Sequence, residues 1–391
     1  MKPFSMHRRV AAVLAIAALA PALTAWSPAP RPAARVLACA TVPVASELAA
    51  RTGGQPEWDM PPVPGYLYAI AARSSTSAVA VGETLPAGAA DVSGLVARWN
   101  GTAWKTLSSP ALPPASRLFG VAVFRGGAWA VGGQDMSNDG DPRVGQPLLV
   151  RVTGTTVSQV PVPQAPQGTE LTGVAASSAT NAWAVGSIGG GAELIWHWNG
   201  TAWKNVQLPA AVARIILGVD SLAATSSTNL WLVSLGRIVH WNGRRWNVVS
   251  PRIGRPYGVL GVAATSARNV WAVGGTRYIK SRDVMLHWNG RRWTCVLGRR
   301  TPYTWLSAVS ASSPDNAWAI GAAGGDQNLA VHWNGHTWKQ VMIPQQGQSH
   351  CLAGITIIPR SDRAWVVGGC TRLPTGGDGT LMLHWNGTAW Q

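Results

Sequence analysis

The chain has 391 residues, with 32 Lys and Arg against 16 Asp and Glu, for a formal net charge of +16. The acids are too thinly spread to place a glycosidase-type carboxylate pair, and no Gly-x-Ser-x-Gly nucleophile elbow occurs. No nucleic-acid-binding motif is present either, so composition argues against a sequence-specific nucleic-acid reader and gives catalysis little support.

The N-terminus comes first in chain order. Lys2, Arg8 and Arg9 precede an apolar stretch from Val10 to Ala20, with small residues at Ala22 and Ala25. This order is that of a secretory signal peptide over residues 1–25, and the stretch is too short to cross a bilayer. The expected location is therefore outside the cell. Residues 26–54, rich in Pro and Ala, read as a linker.

From residue 55 to 391 the chain repeats. In the cleanest copy Leu171–Ala176 is a short apolar run and Ala182–Gly186 a second. Glu193–Trp198 is a third, and Thr201–Val206 closes the unit after Asn199-Gly200. Runs this short, bounded by Gly, Ser and Asn, read as strands, and Asn-Gly between two of them predicts a type I′ hairpin. We label the four antiparallel strands A to D. The copies align on the strand-B position Val79, Trp129, Trp183, Trp231, Trp271, Trp318 and Trp365. They align again on Asn100, Thr153, Asn199, Asn242, Asn289, Asn334 and Asn386, with Val79 the departure in the first series and Thr153 in the second. A period of 40 to 54 residues with four strands per unit predicts an all-β fold, a seven-bladed propeller. The chain stops one residue past Trp390, and Glu57–Pro62 resembles an unpartnered fourth strand. That segment is expected to complete the last blade and close the ring.

Of 22 Trp residues, 18 fall on repeated positions of strands B, C and D and are expected to be packing. Trp26, Trp58, Trp196 and Trp305 lie outside the repeat and are free to do something else. His197, His240, His287, His332 and His384 share one strand-C position. A ring holds them apart, so they cannot converge on one metal ion. They are expected to be hydrogen-bonded within their blades.

Antiparallel topology puts the A–B and C–D turns on one face of the ring and the B–C and D–A loops on the other. The second set varies, as functional loops on a rigid scaffold do. The residues opening strand A should ring the channel mouth, a usual binding position. Among them Tyr66, Arg117, Glu170 and Trp305 suit a sugar or polar polymer. Asp135, Asp139 and Asp141 sit in a loop with calcium-type alternation of oxygen ligands. The closing Glu is missing, with Gln146 at its spacing. Calcium is the one cofactor the sequence suggests.

Charge is concentrated. Residues 214–300 hold fourteen Lys or Arg and only Asp220 and Asp283 as acids. Arg244, Arg245, Arg291 and Arg292 lie at hairpin ends. Arg252, Arg255, Arg277, Lys280, Arg282, Arg299 and Arg300 lie in loops of the other face, a candidate patch for an anionic polymer. The bland alternative is a solvated surface. Four cysteines in an exported chain suggest disulfides. Cys351 and Cys370 flank neighbouring strands and are the favoured pair, leaving Cys39 with Cys295.

The repeat, as in Asn181-Ala182-Trp183-Ala184-Val185-Gly186 with His197-Trp198-Asn199-Gly200-Thr201-Ala202-Trp203, resembles those of secreted actinobacterial Trp-rich β-propellers. It is similar to tectonin-type lectin repeats, and more distantly to kelch and Asp-box propellers. The kelch Gly-Gly/Tyr/Trp order is absent, and Asn stands where an Asp-box carries its acid. The resemblance covers residues 55–391. It implies lectin-like or protein binding and transfers no catalytic residue. The expectation is an exported, monomeric, non-enzymatic propeller that recognises an extracellular glycan or anionic wall polymer. A protein-interaction scaffold at the cell surface, or a polysaccharide-degrading enzyme using Tyr66, Arg117 and Glu170, are the alternatives.

Overall fold

The structure, a computed structural model, describes residues 37–41, 63–85, 91–136, 145–189, 191–249, 251, 253, 257–276, 281–324, 327–344, 351–372 and 378–391. The region read as a signal peptide, most of that read as a linker, and Glu57–Pro62 lie outside the described residues, as do Trp26 and Trp58.

Seven antiparallel sheets span residues 65–106, 117–159, 169–205, 219–248, 257–300, 305–341 and 352–385, and we number them blades 1 to 7. In blade 3 the strands are Thr169–Ser178, Asn181–Ile188, Ala192–Trp198 and Trp203–Asn205, hydrogen-bonded in that order. The A strands form the inner ring, each touching the next and the first touching the seventh. Side-chain hydroxyls join neighbouring A strands. The Ala72 amide donates to Thr356 Oγ1 at 3.1 Å across the blade 1–7 boundary, and that of Ile357 donates to Ser310 Oγ at 3.0 Å. A single helical turn, Ala210–Ala213, links blades 3 and 4.

Blade 7 has three strands, and its fourth is reduced to a bridge between Trp385 and Trp390. At the other end of the same outer strand, Pro64 bridges to Gly379, and the Thr380 amide donates to the Val63 carbonyl at 2.9 Å. Blade 5 is larger. Within the stretch read as linker, Ala40–Thr41 adds a parallel fifth strand, pairing Ala40 with Val296 and Thr41 with Leu297. A Cys39–Cys295 disulfide clips it there. Cys351 is also disulfide-bonded, and its backbone oxygen accepts from the Gly369 amide at 3.1 Å. The Cys370 side chain of the favoured pair is not among the described ones.

Tryptophans hold the blades together. The strand-B Trp residues of blades 2, 5, 6 and 7 each pack against the strand-C and strand-D Trp of the following blade. Trp129 of blade 2 meets Trp198 and Trp203 of blade 3 at ring-centre distances of 5.2 and 5.4 Å. Trp365 of blade 7 meets Trp99 and Trp104 of blade 1 at 5.4 Å each. These are the tilted and edge-on arrangements aromatic pairs prefer. The blade 1–2 boundary differs. There Val79 replaces the strand-B Trp, and Val152 and Val157 of blade 2 replace the other two, and the three join one apolar cluster. Trp196, outside the repeat, is fully buried in the core between blades 2 and 3.

The Asn-Gly hairpins are not type I′ turns. Only the glycines have positive φ, as at Gly200 (100°), whereas type I′ needs it at both residues. The loop is four residues, Asn199 to Ala202, between paired Trp198 and Trp203. The Asn199 side-chain oxygen accepts the amides of Thr201 and Ala202, each at 3.0 Å. The asparagine is selected as a side-chain cap of its own turn, not as a residue tolerant of positive φ.

The strand-C histidines are structural. In His197, His240, His287 and His332, Nε2 meets the side-chain oxygen of the Asn that opens strand B, at 2.6–2.9 Å. His240 and His287 stack on Trp231 and Trp271 at 3.8 and 3.9 Å. Burial pushes all five imidazoles down, and those of His240, His332 and His384 to about 4. Because these folded-state values lie below the unfolded one of 6.5, the unfolded chain takes up protons first as pH falls. The neutral-histidine contribution is therefore whole above pH 6.5 and lost towards pH 4. With the rings partly solvated, the effect is on the order of 1 kcal/mol per histidine. Glu193 and Asp283, raised by burial to about 7 and about 6, act oppositely and are relieved by acid. Five groups against two should give a net fall. The expected result is a lower unfolding midpoint at pH 4.5 than at pH 7 in thermal scans, and an unchanged midpoint would contradict it.

Candidate functional site

Every A strand opens the same way. A buried aliphatic residue, such as Leu67, Leu118, Leu171 or Leu306, anchors it, and a β-bulge follows at once. The bulge drives the carbonyl of the preceding residue against strand B, where a Cβ on Gly132 or Gly186 would collide with the Arg117 or Glu170 carbonyl oxygen. That is why strand B carries Gly at the end of its Trp-x-Val-Gly run. The residue whose carbonyl is pinned is the mouth residue itself, so the backbone at Tyr66, Arg117, Glu170 and Trp305 is fixed by the repeat.

Their four side chains do not converge on one site: Tyr66 and Arg117 meet in one cluster, through Tyr68 and Glu83, and Glu170 and Trp305 belong to other blades. Tyr66 lies between blades 1 and 7. Its hydroxyl donates to the Cys351 carbonyl at 3.2 Å, and its ring lies where a Cβ on Gly369 would be. Arg117 Nε donates to Glu83 Oε2 at 2.5 Å, both side chains being only 9% exposed. The Tyr68 hydroxyl donates to the other Glu83 oxygen at 3.0 Å, and its ring packs on Tyr66 and Phe119 at 4.9 and 5.2 Å. Burial, then the Glu83 carboxylate, pushes both tyrosine hydroxyls well above their ordinary range. Residues 66, 68, 83, 117 and 119 thus form a buried polar–aromatic knot at the top of blades 1 and 2. Glu83 and Tyr68 carry no signal in the sequence that marks them as its centre.

Glu170 opens strand A of blade 3, next to blade 2. Its strand pairs it with Ser187, which pairs in turn with Glu193 of strand C. Glu193 accepts the Gly218 and Val219 amides of blade 4. Burial raises its carboxyl to about 7, with Asp220 and Glu170 adding repulsion. No group of three or more His, Cys, Asp or Glu among the described residues is arranged to hold a metal ion. Of the calcium-loop acids, Asp135 is described, with a left-handed φ of 53°. Asp139 and Asp141 lie outside the described residues. Beside that loop a cleft of about 340 Å³ lies on the outer edge of blade 2, lined by Gln134, Gln146, Gln159, Pro147 and Pro161, away from the mouth.

Trp305 opens blade 6 and is half-buried; its chain neighbourhood is more exposed. Tyr303, two residues earlier in the D–A loop, is 55% exposed with a left-handed φ of 48°. The loop is held down on both sides. The Thr304 amide donates to Ser281 Oγ at 2.6 Å and that of Gly324 to the Pro302 carbonyl at 3.0 Å. Sequence reading passed over Tyr303, because nothing in a loop tyrosine announces an unusual φ. Of the cations expected in loops, Arg282, Arg299 and Arg300 lie instead in strands C and D of blade 5, where Arg282 pairs with Arg300. Arg300 is exposed, and Arg282 is half-buried with its guanidinium on the Gly298 carbonyl at 3.2 Å. Arg299 is described by its backbone alone, while Arg252, Arg255, Arg277 and Lys280 lie outside the described residues.

No protein-family model matches the chain, and no curated protein matches it in sequence. Solved structures show the fold. The propeller YCF48, in a structure bound to D1 peptide, is 15% identical with a TM-score of 0.53, over 85% of this chain and 97% of its own. A chain of the mitotic checkpoint complex is 12% identical with a TM-score of 0.51, over 94% and 98%. A fucose-binding lectin from Aleuria aurantia, described as six-bladed, is 13% identical with a TM-score of 0.46, over 71% and 94%. At these identities the likeness concerns the fold alone, a β-propeller; the seven Trp-rich blades are read from this chain. Among the described residues no helix is long and apolar enough to cross a membrane.

Proposed function

We propose that this propeller is a non-catalytic binding ring that takes an extracellular glycan at the blade 5–6 edge of its mouth. The observation that carries this reading is Tyr303. It is an exposed aromatic side chain on a backbone with φ of 48°, pinned by hydrogen bonds and followed by Trp305. A bulky residue at positive φ is costly, and such strain collects at binding sites. An exposed tyrosine contributes little to the fold and offers an amphipathic face of the kind a sugar ring packs on.

The Cys39–Cys295 disulfide supports an oxidising compartment, as the N-terminal segment does. A propeller of the same architecture holding a peptide, YCF48, supports a binding role for such a ring. One observation favours a second reading. Glu193, near pH-7 titration beside Glu170, has the character of a catalytic acid.

The test is binding of neutral and uronic oligosaccharides to the intact chain at low and high salt. We expect neutral-sugar binding that survives high salt. Tyr303→Ala and Trp305→Ala should each weaken it about tenfold or more with the unfolding midpoint kept. Turnover of a bound polysaccharide, abolished by Glu170→Gln or Glu193→Gln, would replace this reading with the enzymatic one. No sugar binding would leave a protein-interaction scaffold ahead.

A further inference from the structure

The opposite face carries a feature that the mouth does not explain. In blades 4 and 5 the hairpin consensus Asn-Gly-x-x-Trp has Arg-Arg at its two variable positions, against Thr-Ala in blades 1, 3 and 7 and His-Thr in blade 6. Arg244, Arg245, Arg291 and Arg292 are all exposed. Arg268, in the neighbouring A–B turn, is exposed too, and its stem lies over the blade 5 hairpin, where a Cβ on Gly290 would come 2.7 Å from its Cβ and Cγ. Five guanidinium groups thus share one face of two adjacent blades.

Nothing nearby neutralises them. None of the five has an ion pair among the described residues. The two acids of residues 214–300 are on the other face: Asp220 opens strand A of blade 4, and Asp283, buried, opens strand C of blade 5. The nearest acid on the hairpin face is Asp315 of blade 6, which lies close enough to His287 to act on its charge. The cations are also presented on fixed backbone. Asn242 accepts the amides of Arg244 and Arg245, and Asn289 those of Arg291 and Arg292, at 3.0 Å each. A solvated surface needs charge but not pairs of it on two adjacent pinned turns. Guanidinium forks bind carboxylate and sulfate oxygens two at a time, and successive pairs along a face fit a ligand with repeated anionic groups.

We infer that the hairpin face of blades 4 and 5 docks a linear acidic polysaccharide, in a site separate from the mouth. A disulfide suits an oxidising, extracellular compartment, where acidic polysaccharides are abundant polyanions; nucleic acid is the alternative that the test separates. The probes are dextran sulfate, uncharged dextran of equal length, and duplex DNA of matched charge. Two variants remove equal charge: Arg244→Gln/Arg291→Gln/Arg292→Gln on the hairpin face, and Arg214→Gln/Arg237→Gln/Arg300→Gln on the loop face. All six side chains are exposed, so both variants should fold.

We expect dextran sulfate to bind with strong salt dependence and uncharged dextran not to bind at this face. The hairpin variant should weaken dextran sulfate about thirtyfold and the loop-face variant less than about threefold, a contrast that net charge alone cannot produce. Equal losses in both variants, tighter binding of DNA than of dextran sulfate, or no binding of dextran sulfate at low salt would each overturn the inference. None of these outcomes depends on the mouth reading, which is tested on neutral sugars through Tyr303 and Trp305.

Discussion

Trp318→Ala is expected to lower the unfolding free energy by about 3–5 kcal/mol, the usual cost of emptying a large aromatic site in a packed core. Trp318 is fully buried and joins three elements at once. It stacks on His332 of its own blade at 4.3 Å, and meets Trp385 and Trp390 of blade 7 at 5.0 and 5.2 Å. Blade 7 has only a bridge in place of its fourth strand, so its outer edge depends on this contact more than other blades do. Trp318→Phe should cost much less, about 1–2 kcal/mol. It keeps most of the ring and removes an indole N–H that has no hydrogen-bond partner among the described residues. Chemical unfolding of the two variants checks this. Similar losses for Ala and Phe would mean that the indole N–H, not the ring, is what the site needs.

The same triad explains how far the fold could be read from residues. Blade number, strand order and the structural role of the Trp and His positions were all legible, since a repeated letter at a repeated offset reports a repeated environment. What stayed hidden was pairing between copies. Val79 reads as a lone substitution in blade 1, and the loss of the hairpin consensus in blade 2, where the hairpin itself persists with Thr153 paired to Thr156, reads as separate decay. In space they are one event, the exchange of a Trp triad for Val79, Val152 and Val157 at a single boundary. A one-dimensional alignment stacks blades on top of one another, and the contacts run from each blade to the next. The hairpin type was misjudged for a related reason. Asn-Gly has two mechanisms available, positive φ and side-chain capping, and only coordinates tell which is used.

The mouth was half legible. Position along strand A is set by the repeat, so Tyr66, Arg117, Glu170 and Trp305 do open their strands. Direction and partnership depend on neighbouring blades, which sequence does not supply. Glu83 looks like one of many loop residues, yet it takes both the Arg117 guanidinium and the Tyr68 hydroxyl. Tyr303 was missed because its exposure and φ follow from a loop path that no motif encodes.

The knot gives the second large effect. Glu83→Ala should cost about 3–5 kcal/mol, because the buried Arg117 guanidinium loses the Glu83 carboxylate, and the Tyr68 hydroxyl loses its acceptor as well. Arg117→Met should cost about as much, since it strands the Glu83 carboxylate. The two changes should not add. In Glu83→Leu/Arg117→Met both charges are gone from a site walled by Tyr66, Tyr68 and Phe119, and replacing a whole buried pair with apolar side chains is often close to neutral. A double-mutant cycle by urea unfolding reads the coupling directly. A double variant as unstable as the sum of the singles would mean that the two residues act apart, and would return Arg117 to the pool of mouth cations available to a ligand. A strong coupling leaves it a structural cation. In that case sugar affinity at Tyr303 should be indifferent to Arg117→Met once the protein is folded, and binding and stability separate onto opposite sides of the same mouth.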